Sequence, residues 1–290
     1  MSKSKSLLWI LIAYIACLSA AGTYLFKFSD PAQGLLLNSF IADLIATVVI
    51  FAFSRLFRNS SFYDAYWSVI PPLFLLYWWY SREVDTVYLR YVFVSIVVWF
   101  WAIRLTWNWS KHWTGMNHED WRYPLIKEKS GSLEFIADFA AIHLFPTLQV
   151  FAGMLPMYAA VALGTEAIGV LDYIALLIGV SAASLQLISD RQLHRFIDSN
   201  SSKQIIDTGL WAWCRHPNYL GELMFWGSLA LFGLAAFPEG WWWQIIGFIA
   251  MLVMFRFASI PLMETRSLQR RPGYQAVMDT IPMLWPRRPR

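Results

Sequence analysis

The sequence predicts an all-α integral membrane protein, a bundle of about eight transmembrane helices with both termini on the cytoplasmic side. Three observations carry this prediction. Hydrophobic residues fill 58% of the 290 positions and charged residues only 14%, where a soluble domain is nearer a quarter charged. The apolar residues fall in runs of about 20, the length that crosses a bilayer at 1.5 Å per residue. Lys and Arg gather in alternate connections, as they do when cytoplasmic loops hold the positive charge.

Apolar runs of spanning length lie at 7–28, 35–57, 64–80, 86–109, 134–162, 167–189, 217–237 and 241–263. The first follows a basic start, Met1 to Lys5, as a signal peptide does. It continues to Phe28 without a small-residue cleavage site, so it reads as a retained helix. The second carries an acid, Asp43. The third is short and interrupted by Pro71-Pro72, which leaves seven spans as the alternative count. The fourth buries Arg104 by sequence. The fifth is over-long and holds Pro146 and Pro156, so it is kinked, tilted or two pieces. The sixth ends in a polar stretch, the seventh opens at Pro217, and the eighth contains Arg256.

With the N-terminus inside, the inner segments carry Lys3, Lys5, Arg55, Arg58, Lys111, Arg122, Lys127, Lys129, Arg191, Arg195, Lys203, Arg215 and the tail from Arg266 to Arg290. The outer connections carry only Lys27, Arg82 and Arg90. The long polar segments 110–133, 190–216 and 264–290 all face inward, so a charged soluble cofactor would enter from the cytoplasm. The 17 Trp and 13 Tyr suit an interfacial belt or a ligand pocket equally. Cys17 and Cys214 form no metal-ligand spacing and no disulfide framework. The formal charge of +4 is modest, and no nucleic-acid partner is expected.

Four polar clusters meet at the inner face. In the run 209–222, Arg215, His216, Asn218, Tyr219 and Glu222 stand between two greasy stretches. Ionisable groups at the edge of the hydrocarbon are costly and mark function. Pro217 can open a helix, because a first-turn residue needs no N–H partner. The free N–H groups of that turn, with Arg215, suit an anion such as a phosphate. The plainer reading is a basic loop anchoring a helix. Glu222, one turn in, needs a polar partner: Arg215, Arg256 or a ligand amide. Trp226 shares its face at i+4 and can stack on a flat ring.

The second cluster sets Gln186, Asp190 and His194 in one helical row, with Arg191 and Arg195 in the next. A carboxylate or amide for ribose hydroxyls, with guanidinium forks for phosphates, is what a dinucleotide needs. A solvated helix end with snorkelling Arg residues is the alternative. The third cluster is Arg256, expected to face the bundle interior, followed by Glu264, Arg266, Arg270 and Arg271. The last two also suit lipid headgroups. The fourth is Arg104 with His112, Asn117, His118, Glu119, Asp120, Arg122 and Tyr123, dense enough for a structured cap. Its metal-capable residues fit no zinc spacing, and no metal is expected. Two early acids, Asp43 and Asp64, complete the inventory. Asp64 suits a helix cap as well as a functional role.

Asp190, the run 209–222, Trp226, Arg256 and Arg271-Pro272-Gly273-Tyr274 together resemble the C-terminal domain of the steroid 5α-reductase family. The similarity is closest to the family's bacterial branch of membrane proteins, the DUF1295 type. Arg104 and the run 119–123 fit that branch too. The resemblance covers 180–290 well and 60–125 moderately. It divides the chain into N-terminal transmembrane helices, 1–60, and a steroid-reductase-like membrane domain, 61–290, with its cofactor half at 180–290.

In the reductases this half holds NADPH among the cytoplasmic helix ends. The cofactor contacts this implies are Asp190, Arg195, Asn218, Glu222 and Arg256, with Gln186 in place of the family's usual amide; the clusters themselves add Arg191, Arg215, His216, Tyr219, Trp226 and Glu264 as candidate cofactor contacts. The reaction implied is hydride transfer to the β carbon of an enone, with an acid or hydroxyl polarising the carbonyl. The animal enzymes place a tyrosine three positions before the arginine corresponding to Arg104, where this chain has Trp101. They also supply a glutamate from an earlier helix, and the nearest acid here is Asp64. The substrate-polarising groups expected are therefore Asp64, Tyr66 and Tyr123, and a steroid substrate does not follow.

The expectation is an NADPH-dependent reductase of a C=C bond in an apolar lipid, seated in a bacterial inner membrane with its cofactor site facing the cytoplasm. Isoprenylcysteine and phospholipid methyltransferases carry close variants of the motif. A methyltransferase using S-adenosylmethionine is thus the second reading, although that cofactor has little need for Arg191, Arg195 and Arg256. The third is a non-enzymatic membrane protein with the same fold.

Overall fold

The computed structural model describes residues 1–199, 204–271 and 273–288. Lys203, Pro272 and Arg290, which enter the sequence reading, lie outside the described residues. Among the described residues all regular structure is helical. The long helices are α1 (Lys3–Thr23), α2 (Gly34–Phe57), α3 (Tyr66–Ser81) and α4 (Tyr88–His112). The polar segment before the fifth run forms α5 (Arg122–Ser130), and the predicted over-long run itself is several pieces, α6 (Glu134–Ala137) and α7 (Phe145–Tyr158), with π-helical turns at Asp138–Leu144 and Ala159–Leu163. Then come α8 (Val170–Ser199) and α9 (Pro217–Ala236). The last apolar run comprises α10 (Trp241–Gln244), α11 (Ile246–Met254) and α12 (Ile260–Arg270), and the tail forms α13 (Tyr274–Thr280).

Seven stretches are long and apolar enough to cross a membrane: Lys3–Phe28, Pro31–Phe57, Tyr88–His112, Arg122–Leu163, Val170–Ser199, Pro217–Ala236 and Pro238–Arg270. The predicted third run forms α3, which has only 16 residues. Its shortness has a local cause. Arg58 ends α2 in the left-handed region at φ 51°. The connection that follows then folds back into the bundle. There the Tyr14 hydroxyl donates to the Phe62 carbonyl at 3.0 Å, and Ser60, Ser61 and Phe62 are wholly buried. Non-helical backbone of this kind survives where protein surrounds it.

Small residues let the central helices touch. On α8, a Cβ at Gly179 would stand 2.5 Å from a Val97 methyl of α4 and 2.9 Å from Ser228 Oγ of α9. Pro156 has no N–H for the carbonyl of Ala152, and that carbonyl faces α11, 2.3 Å from where Gly247 would carry a Cβ. Close backbone approach through glycine is the usual way apolar helices associate in lipid.

The connections separate into two ends. At one end the N-terminal amine donates to Asn117 Oδ1 at 3.2 Å, and Lys3 Nζ donates to the Lys111 carbonyl at 2.7 Å. At the other, Arg90 forms a two-pronged bond to Asp172 at 2.7 and 3.0 Å and donates to the carbonyls of Glu166, Ala167 and Ala235. Arg90, which the sequence suggests is a loop cation, is thus a fully buried pin joining three connections. Arg256 departs from expectation in the opposite direction. It is exposed, with its guanidinium 5.4 Å from the Phe257 ring centroid.

Candidate functional site

A cavity of about 550 Å³ opens between α4, α5, α7, α8, α9 and α11. Helical spacing explains its polar wall. Gln186 and Asp190 are one turn apart on α8, while Asn218, Glu222 and Trp226 follow one another at the same interval on α9. All five line the cavity. Gly221 makes the pairing possible, because a Cβ there would meet Gln186 Cγ at 2.4 Å.

Arg104 of α4 ties the two acids together. Its guanidinium donates to Asp190 Oδ2 at 2.9 Å and to Glu222 Oε1 at 3.3 Å. Trp101 Nε1 points at both oxygens of Glu222, at 3.2 and 3.1 Å, and Asn108 Nδ2 reaches Asp190 at 3.3 Å. Glu222 therefore bonds to Arg104 and Trp101, not to the Arg215 or Arg256 that the sequence offers as partners. Trp101 also stacks flat on Phe225, with centroids 4.2 Å apart, so its orientation is fixed.

Several buried polar atoms on this wall have no partner in the protein: both amide atoms of Gln186, Gln149 Nε2, Trp226 Nε1 and Arg104 Nε. Gln186 is 1% exposed, and an unmatched buried amide costs a few kcal/mol. Such atoms are satisfied when a ligand fills the hollow beside them.

At the next wall, the Tyr123 hydroxyl donates to Asp64 Oδ1 at 2.7 Å, and Trp109 Nε1 reaches Oδ2 at 3.4 Å. Tyr123 lines the cavity and Asp64 supports it from behind. Tyr66 does not line it. Its hydroxyl is turned away to Asp43 Oδ1 at 2.7 Å, and Tyr63 occupies the wall in its place.

Arg215, His216 and Glu264, expected around an anion, form a clamp. Arg215 Nε donates to Glu264 Oε1 at 2.7 Å, and His216 Nε2 lies 2.9 Å from the same oxygen. Arg215 also donates to the carbonyls of Met278 and Ile281, so it holds the C-terminal tail. The first turn of α9 keeps its Pro217 start, but Arg215 points away from it. Arg191 and Arg195 are exposed on α8 and stay outside the cavity wall. Arg122 is the further cation on that wall. It is paired with Asp120 at 2.8 and 3.0 Å. Tyr219 lines the cavity beside it, edge to face with Phe255 with ring centroids 4.9 Å apart.

The fourth cluster is the structured cap its density suggests. Glu119 accepts from the Ser60 amide at 2.6 Å and from Lys127 at 2.8 Å, and His112 stacks on His194 with centroids 3.4 Å apart. Among the described residues no group of three His, Cys, Asp or Glu could hold a metal ion. The sequence does not single out the wall residues Tyr63, Asn108 and Gln149, nor Trp101 as a bonding partner of Glu222. For Asn108 a signal exists, four positions after Arg104 on one helical face. For Gln149, one polar side chain in the over-long fifth run, it was available in the same way as for Asp43.

A helical membrane bundle with a polar, partly unsatisfied cavity at one end defines the class of this protein. The profile of the protein family of unknown function DUF1295 matches residues 50–281, and the chain belongs to that family. The family is associated with steroid-reductase-like and methyltransferase-like membrane enzymes. The chain is 25% identical over 278 residues to a Schizosaccharomyces pombe (strain 972 / ATCC 24843) protein named "Uncharacterized protein C594.04c". The match covers 88% of this chain and 79% of the relative. No solved structure matches.

Proposed function

We propose that the chain is an NADPH-dependent membrane reductase acting on a C=C bond of an apolar, lipid-like enone. One observation carries the proposal: a Gln186 amide without partners faces the same cavity as the Glu222 carboxylate. A primary carboxamide, such as nicotinamide bears, is complementary to that pair. Its N–H groups suit the carboxylate, and its carbonyl suits the Gln186 Nε2 donors. Asp190 and Asn218 stand one turn nearer the open end, where ribose hydroxyls need acceptors and donors. When bound, the nicotinamide supplies a hydride. Gln186 and Glu222 fix the ring, Trp226 walls it, and the apolar side chains Phe145, Val150 and Met251 keep water away. Tyr63 and Tyr123 offer hydroxyl protons to a substrate carbonyl or carbanion.

A methyltransferase using S-adenosylmethionine is the second reading, favoured by a specific correction. Arg191, Arg195 and Arg256 lie outside the cavity wall, and two carboxylates share one guanidinium on it. A cationic sulfonium suits such a wall. Thermal unfolding of the purified chain in detergent separates the two. A ligand at 100 times its Kd adds about 2.7 kcal/mol. The midpoint is expected to rise with NADPH and not with S-adenosylmethionine. The reverse result moves the assignment to the methyltransferase, and no rise with either overturns both.

A further inference from the structure

Behind the cavity runs a chain of buried hydroxyls that the sequence does not announce. Tyr63 lines the cavity, and its hydroxyl lies 2.9 Å from Thr147 Oγ1 on α7. Thr147 Oγ1 lies 2.9 Å from Thr47 Oγ1 on α2. Thr47 Oγ1 lies 3.4 Å from the Tyr66 hydroxyl on α3, which donates to Asp43 Oδ1 at 2.7 Å. All five side chains belong to residues no more than 2% exposed. The chain crosses three helices and has a carboxyl at its far end. Asp43 itself borders a second hollow of about 330 Å³ between α1, α2 and α3, which reaches the exposed side chains Leu76 and Tyr80. Helix adhesion alone explains a hydroxyl pair. It does not explain an unbroken series that begins at one hollow and ends at the other.

We infer that Asp43, Tyr66, Thr47 and Thr147 form a proton relay that recharges Tyr63 as the acid facing the substrate. The relay takes its chemical purpose from the reductase reading above. Hydride addition to the β carbon of an enone leaves an enolate, which must gain one proton. Tyr63 gives its phenolic proton to the α carbon and becomes a phenolate. At rest the hydroxyls point away from Tyr63: Thr47 donates to Tyr66, Tyr66 to Asp43, and Thr147 to the His143 carbonyl at 2.9 Å. Each hydroxyl turns about its C–O bond, and Thr147 then passes a proton to Tyr63, Thr47 to Thr147, Tyr66 to Thr47, and the Asp43 carboxylic acid to Tyr66. Each hydroxyl gives one proton and takes one, so the single net change is Asp43 from acid to carboxylate. Solvent restores its proton between turnovers. Tyr63 is the catalytic acid, and the other four act through it.

Two measurements on the full chain test this separately from the cofactor assignment. In the first, 3-fluorotyrosine at position 63 reports by ¹⁹F resonance on its hydrogen bond. Asp43→Asn is expected to move that resonance, and Thr147→Val, which breaks the series midway, is expected to abolish the response. Equal movement in both backgrounds overturns the relay whatever the protein catalyses. In the second, NADPH oxidation is followed with 2-cyclohexen-1-one as the probe. Tyr63→Phe, Thr147→Val and Asp43→Asn are each expected to bind NADPH normally and to lose about 10²-fold in turnover, the usual scale of acid catalysis. The double variant Asp43→Asn with Thr147→Val is expected to lose no more than either alone, since both cut one path. Multiplied losses, or single variants as fast as the parent, overturn the relay. A parent chain that neither binds nor oxidises NADPH overturns the reductase reading, and the fluorine result then decides the relay alone.

Discussion

Single residues decide what the cavity can hold. Gly221 leaves space that Gln186 fills, and no other side chain fits there without moving it. Gly221→Ala is expected to rotate the Gln186 amide off the wall while α9 persists, because alanine is the better helix former. NADPH affinity measured by tryptophan fluorescence should fall at least tenfold with little change in helix content. Unchanged affinity would mean that the amide does not touch the ligand.

At the scale of elements, the tail and the seventh run depend on one buried ion pair. Arg215 and Glu264 have side chains 7% and 5% exposed, and Arg215 donates to the Met278 and Ile281 carbonyls at the end of α13. Breaking a pair this buried costs about 3 kcal/mol. Arg215→Ala is therefore expected to free the segment after α12 to trypsin in limited proteolysis, with the core helices intact and NADPH binding weakened less than by Gly221→Ala. A tail equally protected in the variant would refute the clamp. The same pair shows what was legible in the sequence and what was not. Apolar runs and basic connections announced every long helix, because lipid imposes one length and one charge rule. Gln186, Asp190, Asn218, Glu222 and Trp226 were legible as a wall because helical spacing alone brings them to one face. The partners of Arg215, Glu222 and Arg90 were not. Which carboxylate a guanidinium meets depends on contacts between residues 49, 118 and 82 positions apart, which no local pattern encodes. The short α3 was legible, at 64–80 against the observed Tyr66–Ser81, but the inward fold of the connection before it was not, because such a connection is indistinguishable, by composition, from the start of a span.

For the whole molecule, the two ends of the bundle give a topology that labelling can test. The N-terminal amine and Lys3 touch the segment after α4, so the chain returns to its starting end when α4 finishes. Only three of the seven long apolar stretches occur by that point, and three crossings would finish at the opposite end. The connection before α3 together with α3 is therefore predicted to carry the chain across the remaining distance, which would make eight crossings with both termini on one side. The positive charge at that end argues that this side is the cytoplasm. The native thiols are suited to the test. Cys17 and Cys214 are each 1% exposed, and burial pushes the Cys214 thiol up to about 11, so neither reacts readily with a maleimide near neutral pH. Single cysteines are placed at Ser2, Glu83, Glu239 and Arg287 in intact cells expressing the chain. A membrane-impermeant maleimide should label positions 83 and 239 at once, and positions 2 and 287 only after the membrane is opened. Labelling of 2 and 83 from the same side would show that the segment through α3 does not cross and would overturn the count of eight.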